Sequence, residues 1–207
     1  IQPLTLPEKL QHFDFYLDEP DWGIDITWQN LKHLTLVFKS SGDYKDFTDR
    51  FCEFSPNMKN LEELKLIFVK SDEMTDVQIG DLTFAIGTNH GNLKSLELGF
   101  SDCKQLTLHC LPILGYNVCT KLKKLAHLHL RFYEPESFHE DSIIFLANLI
   151  ATRLQDLESL TLLFSGGILK ETLNFMFDSI CPRIKEHLKK LKKLKLGFTP
   201  EEDFIFD

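Results

Sequence analysis

Two histidines, His127 and His129, are the side chains in this 207-residue sequence whose type and spacing most suggest chemistry. On a β-strand they would share one face, about 6.6 Å apart at a rise of about 3.3 Å per residue. Zinc requires three or four converging ligands, and Glu97 is the one further ligand that the pattern brings near. That is too little for a metal centre, so we expect no metal and no cofactor. Asp72 with Asp76, and Glu140 with Asp141, resemble acid–base pairs, but both stand where a helix start calls for acids. Gly166-Gly167 lacks the lysine and the helix opening of a phosphate cradle. There is no Gly-x-x-x-x-Gly-Lys-Ser/Thr loop and no Gly-x-Ser-x-Gly elbow, and Ser, His and Asp suggest no triad. The lysine run from Lys185 to Lys195 has no interleaved aromatics for stacking on bases. A net charge of −8 opposes non-specific nucleic-acid binding. These observations point away from an enzyme and toward a binding protein.

The elements that position these residues come from an internal repeat, which decides the fold before anything else does. Leu-x-x-Leu-x-Leu-x-Phe occurs six times, starting at Leu31, Leu61, Leu93, Leu125, Leu157 and Leu191. The starts are 30, 32, 32, 32 and 34 residues apart. A weaker copy, Leu10, Phe13, Phe15 and Leu17, precedes them. The last three apolar positions of each copy alternate with period 2, the mark of a strand with one buried face. Helical periodicity fills the spaces between. It is clearest over 142–150, behind Glu140 and Asp141, and over 172–184, where Pro182 is expected to bend or end the helix. Helices are also expected over 43–54 and 75–86. Pro112 and Gly115 leave 104–120 the least regular segment. A strand and a helix repeated at fixed period build one parallel sheet with right-handed crossovers.

Over roughly residues 10–207 this array resembles the leucine-rich repeat family, specifically its long, helix-containing, ribonuclease-inhibitor-like class. The resemblance implies an α/β right-handed solenoid with a curved parallel sheet on the concave side and helices on the convex side. The chain would form a single unit, 1–207, with residues 1–30 as a degenerate repeat or cap. Two departures stand out. The repeats exceed the usual length of about 20–29 residues. The ninth position, where the family has Asn or Cys, is Lys39, Val69, Ser101, Tyr133, Ser165 or Thr199, so the family's asparagine ladder is missing. Phe38, Phe68, Phe100, Phe132, Phe164 and Phe198 point inward by alternation, and a stacked phenylalanine spine is expected to take over the packing.

Pleating sends the third, fifth and seventh positions onto the concave face. In the fifth row, Lys65, Glu97 and His129 should form a lateral ladder. In the third, His127 joins them. The seventh row holds Tyr16, Val37, Ile67, Arg131 and Leu163, and its apolar members suggest a patch for a protein partner. These nine residues are the candidate binding surface. Lysines also gather before strands and acids after them, so one rim is expected to be basic and the other acidic, although helix dipoles alone favour that sorting.

Five cysteines without a Cys-x-x-Cys pair suit apolar packing in a reducing compartment, and we expect an intracellular, cytoplasmic protein. No apolar run reaches the ~18 residues of a membrane span. Trp22 and Trp28 could cap the first repeat. Phe204-Ile205-Phe206 suggests that the array continues or that a partner covers its end. The function expected is a non-catalytic interaction scaffold or a structural subunit of a larger assembly. The alternatives are the substrate-recruiting portion of an F-box-type ubiquitin-ligase adaptor and a small-GTPase regulator, both by fold analogy.

Overall fold

A computed structural model describes residues 10–17, 29–39, 44–71, 73–107, 109–133, 140–165 and 170–198; for 17, 44–46, 170–176 and 198 it describes the backbone alone. The strands are β1 (His12–Leu17), β2 (His33–Phe38), β3 (Glu63–Val69), β4 (Ser95–Ser101), β5 (His127–Tyr133), β6 (Ser159–Ser165) and β7 (Lys193–Phe198). The helices between them are α1 (Tyr44–Phe54), α2 (Asp76–Asn89), α3 (Cys110–Lys121), α4 (Glu140–Arg153) and α5 (Lys170–His187). The seven described strands form one parallel sheet in chain order, β1 to β7, so the fold is α/β. Trp22, Trp28 and the Phe204–Phe206 segment lie outside the described residues.

Register follows the repeat position for position. Leu34 pairs with Leu64, Leu64 with Leu96, and so on to Leu194; the phenylalanines pair in the same way. A shift of one residue would turn every leucine to the opposite face, so the apolar pattern itself specifies the pairing. Phe38, Phe68, Phe100, Phe132 and Phe164 stack across five strands with ring centroids 4.9, 5.4, 5.2 and 5.6 Å apart, and all are buried. The core lies between this face and the helices, which supply Phe47, Phe51, Ile79, Leu82, Leu114, Val118, Ile143 and Leu146.

The helices begin and end for local reasons. Thr75 caps α2 in a capping box with Gln78, each side chain bonding the other residue's backbone end. Pro112 falls in the first turn of α3, where its missing N–H costs nothing, so Pro112 and Gly115 do not break that helix. Pro182, by contrast, does not end α5, which runs through it to His187. Adjacent helices interlock where side chains are small. Gly87 lies against the Asn117 backbone. The Asn117 amide Nδ2 donates to Thr83 Oγ1 at 3.2 Å and to the Gly80 carbonyl at 3.3 Å.

The strand entries show a ladder that the motif does not predict. Two consecutive N–H groups at each entry, Lys32 and His33 for example, donate to one carbonyl of the previous copy, here Gln11. The pattern recurs at the Lys32, Glu62, Lys94, Ala126 and Glu158 carbonyls. The residue before the first leucine reinforces it in two copies. Asn60 Nδ2 donates to the Gln29 carbonyl at 2.7 Å, and Asn92 Nδ2 to the Lys59 carbonyl at 3.3 Å. Asparagines do bridge the copies, therefore, but at the opposite end of the strand from the ninth position.

Candidate interaction face

The sheet has two unlike faces. One packs on the helices; the other carries the third, fifth and seventh positions. Because register places equivalent positions side by side, Lys65, Glu97 and His129 fall in one row. Glu97 Oε1 lies 3.6 Å from Lys65 Nζ, and Oε2 lies 3.9 Å from His129 Nδ1. The expected ladder is present. Arg131 joins it from the seventh row, its Nη2 3.2 Å from Glu97 Oε1. The Glu97 side chain is only 15% exposed, and its Oε1 is shut off from solvent without a well-formed hydrogen bond. Two permanent cations thus converge on one largely buried carboxylate. Burial pushes the His129 imidazolium below its usual range; Glu97 opposes that shift, while Arg131, Lys193 and His127 add to it.

The seventh row departs from expectation. Tyr16 is 64% exposed, with Lys39 Nζ 5.5 Å above its ring, but Val37 and Ile67 are 2% exposed and Leu163 is 9%. They are not an open apolar patch. Two of the three lie against a glycine. A Cβ on Gly99 would meet Ile67 Cδ1 at 2.7 Å, and one on Gly197 would meet Leu163 Cδ2 at 2.6 Å. Ile67 and Leu163 lie across glycine on the next strand, and Val37 lies between Tyr16 and Ile67.

The basic rim is in part neutralised. Along the edge where strands begin, Lys32 and Lys94 both pair with Glu62, Lys190 pairs with Asp156, and Lys192 pairs with Glu158. Hydrogen bonds from Lys94 and Lys192 hold the Glu62 and Glu158 carboxyls below their usual range. Elsewhere on this edge Lys124 donates to Asn92 Oδ1, and Lys123 and Lys189 donate to backbone carbonyls. Of the acids after strands, Asp72, Glu134, Glu136 and 201–203 lie outside the described residues.

His127 shares its face with His129, as the period requires, and is exposed. Among the described residues no three His, Cys, Asp or Glu side chains gather as a metal would need. Burial raises the Cys103 thiol to about 11 and Cys119 to about 12, and raises Cys110 as well. Cys52 is raised by burial and by Asp81, Asp49 and Glu53 nearby. None of these four is a thiolate nucleophile at neutral pH. Among the described residues no helix is long and apolar enough to cross a membrane.

No protein-family model matches the chain, and no curated protein does.

Two further features escape the motif. On the helix side, Val77, Phe84, Ile113, Tyr116 and Phe145 are about half exposed or more. Inside the core, His90 stands where four other copies have Met58, Leu122, Leu154 and Leu188. Aligning the copies three residues before each first leucine would have revealed it.

Proposed function

We propose that this chain is a non-catalytic protein-interaction scaffold of the leucine-rich-repeat kind. In this reading the parallel sheet lines the concave side of a right-handed solenoid, the helices form its convex side, and the helix-free face recognises protein. The observation that carries it is the contrast between the two faces. Positions toward the helices repeat Leu, Leu and Phe in the six full copies, whereas positions on the other face differ from strand to strand and include charges, histidines and a tyrosine on a rigid backbone. Side chains that share a regular frame yet differ from copy to copy suit recognition rather than packing. Buried free thiols with raised pKa values support a reducing, intracellular setting and a cytoplasmic location.

Photo-crosslinking tests this reading. A benzophenone amino acid is placed at Tyr16 or His127 on the helix-free face and, separately, at Phe84 or Tyr116 on the helix side. In native lysate we expect discrete protein adducts from Tyr16 and His127 and none from Phe84 and Tyr116. Adducts from the helix side alone, or none at all, overturn the assignment of the binding face.

A further inference from the structure

On the helix-free face, β6 presents Ser159 and Thr161, both buried between taller neighbours. In register on one side stand His127 and His129 of β5, with Arg131 one pleat further along; on the other stand Lys193 and Lys195 of β7. With neighbouring strands about 4.8 Å apart, the two walls are about 10 Å apart across a floor of small hydroxyl side chains. A carboxylate lying over that floor is within reach of Lys, Arg and His side chains from both walls.

The charges are unbalanced here. From β4 to β7 this face carries three permanent cations, Arg131, Lys193 and Lys195, against the single carboxylate Glu97, in a chain of net charge −8. Glu97 is already shared between Lys65 and Arg131. Lys193 and Lys195 are exposed, and among the described residues neither has an acidic partner within 4.0 Å. That separates them from Lys32, Lys94, Lys190 and Lys192, each of which is paired along the strand-start edge. Unpaired cations held on adjacent pleats of a sheet attract and orient anionic groups, and their effect is greatest where the floor excludes water.

We propose that the groove between β5 and β7 binds an extended acidic segment, rich in Asp and Glu, of a partner protein. The proposal rests on the scaffold reading and names the chemistry of its partner. Successive carboxylates of an extended peptide lie on alternate sides of its backbone, so one series faces Lys193 and Lys195 while the other faces Arg131 and His129.

Fluorescence anisotropy with a labelled oligoglutamate peptide, against oligoglutamine of the same length, tests it on the full chain at pH 7 and low salt. We expect the wild type to bind oligoglutamate and not oligoglutamine, and added salt to weaken binding. The Lys193→Gln, Lys195→Gln double variant, checked by its melting curve, should bind about tenfold more weakly. Lys190→Gln with Lys192→Gln makes the same change in net charge at the paired edge and should leave binding unaltered. Equal losses in the two double variants would show attraction to net charge alone and overturn the groove. Equal binding of oligoglutamine would overturn the acidic preference. A single-stranded oligouridylate that displaces the peptide and depends on Lys193 and Lys195 would make the ligand a nucleic acid. If oligoglutamate fails to bind while crosslinks from Tyr16 and His127 persist, the acidic partner is refuted and the scaffold reading stands.

Discussion

His90→Leu is the substitution whose consequence follows most directly from the geometry. His90 is fully buried at the end of α2, with its ring edge-on to Phe51 at 6.3 Å. Its Nδ1 lies 3.2 Å from the Met58 carbonyl, so that nitrogen carries the proton and donates. Nε2 is buried with no partner. Burial lowers the pKa from 6.5 to about 4, and the Met58 hydrogen bond only partly offsets it. The sign then follows. The unfolded chain takes up a proton at this residue below pH 6.5, whereas the folded chain does so only near pH 4, so stability falls as pH drops between those values. At about 1.36 kcal/mol per pKa unit the full effect is about 3 kcal/mol, of which about 2 kcal/mol is already felt at pH 5. Leucine occupies the same position in three other copies, at Leu122, Leu154 and Leu188. The Met58 carbonyl also accepts from the Leu61 N–H at 3.2 Å and would not be left unpaired. His90→Leu should therefore be neutral or stabilising at pH 7 and should remove about 2 kcal/mol of the loss between pH 7 and pH 5. Urea unfolding midpoints for both proteins at the two pH values measure this. A variant whose stability falls as steeply as that of the wild type would refute the assignment of the titrating group.

Other perturbations test the packing and the charged face. Gly87→Ala puts a Cβ into the Asn117 carbonyl, a backbone atom that cannot step aside, and should cost about 1–3 kcal/mol by thermal melting; Gly91→Ala, with nothing within 4 Å, should be nearly neutral. Phe100→Ala opens the ring stack between Phe68 and Phe132 and should lower stability by about 3–5 kcal/mol in urea titration. Glu97→Gln leaves Lys65 and Arg131 facing each other without a counter-charge; it should destabilise by about 1–3 kcal/mol, and added salt should recover part of that loss.

Much of the sheet can be read in the sequence, because eight-residue motifs of near-constant spacing carry their own register. Once Leu64 must lie beside Leu96, Lys65 must lie beside Glu97 and Glu97 beside His129, and all three meet. What cannot be read this way depends on side-chain reach. Period 2 places Arg131 in the seventh row, but its length brings the guanidinium diagonally to Glu97 in the fifth. The lysines before strands read as a basic run in chain order. In space two of them face an acid about one repeat away, Lys190 facing Asp156 and Lys192 facing Glu158, whereas Lys124 reaches the Asn92 amide and Lys123 a backbone carbonyl. Proline rules predict a bend or an end at Pro182, and α5 continues through it to His187.

The seventh row shows why this face offers a partner charge rather than apolar contact. Its large side chains are not spread evenly: Ile67 is followed on the next strand by Gly99, and Leu163 by Gly197, so each lies down across the space the glycine leaves. Apolar surface that could have bound a partner is consumed within the sheet. Lysine at position 67 would remove a buried side chain that covers β4, and a binding defect in Ile67→Lys would report on folding before it reported on recognition. Lys193, Lys195, His127 and Tyr16 are exposed on the same face, and their replacement leaves the leucine and phenylalanine rows untouched. Substitutions at those four positions separate binding from stability, and a partner that ignores all four uses neither Tyr16 nor the groove between β5 and β7.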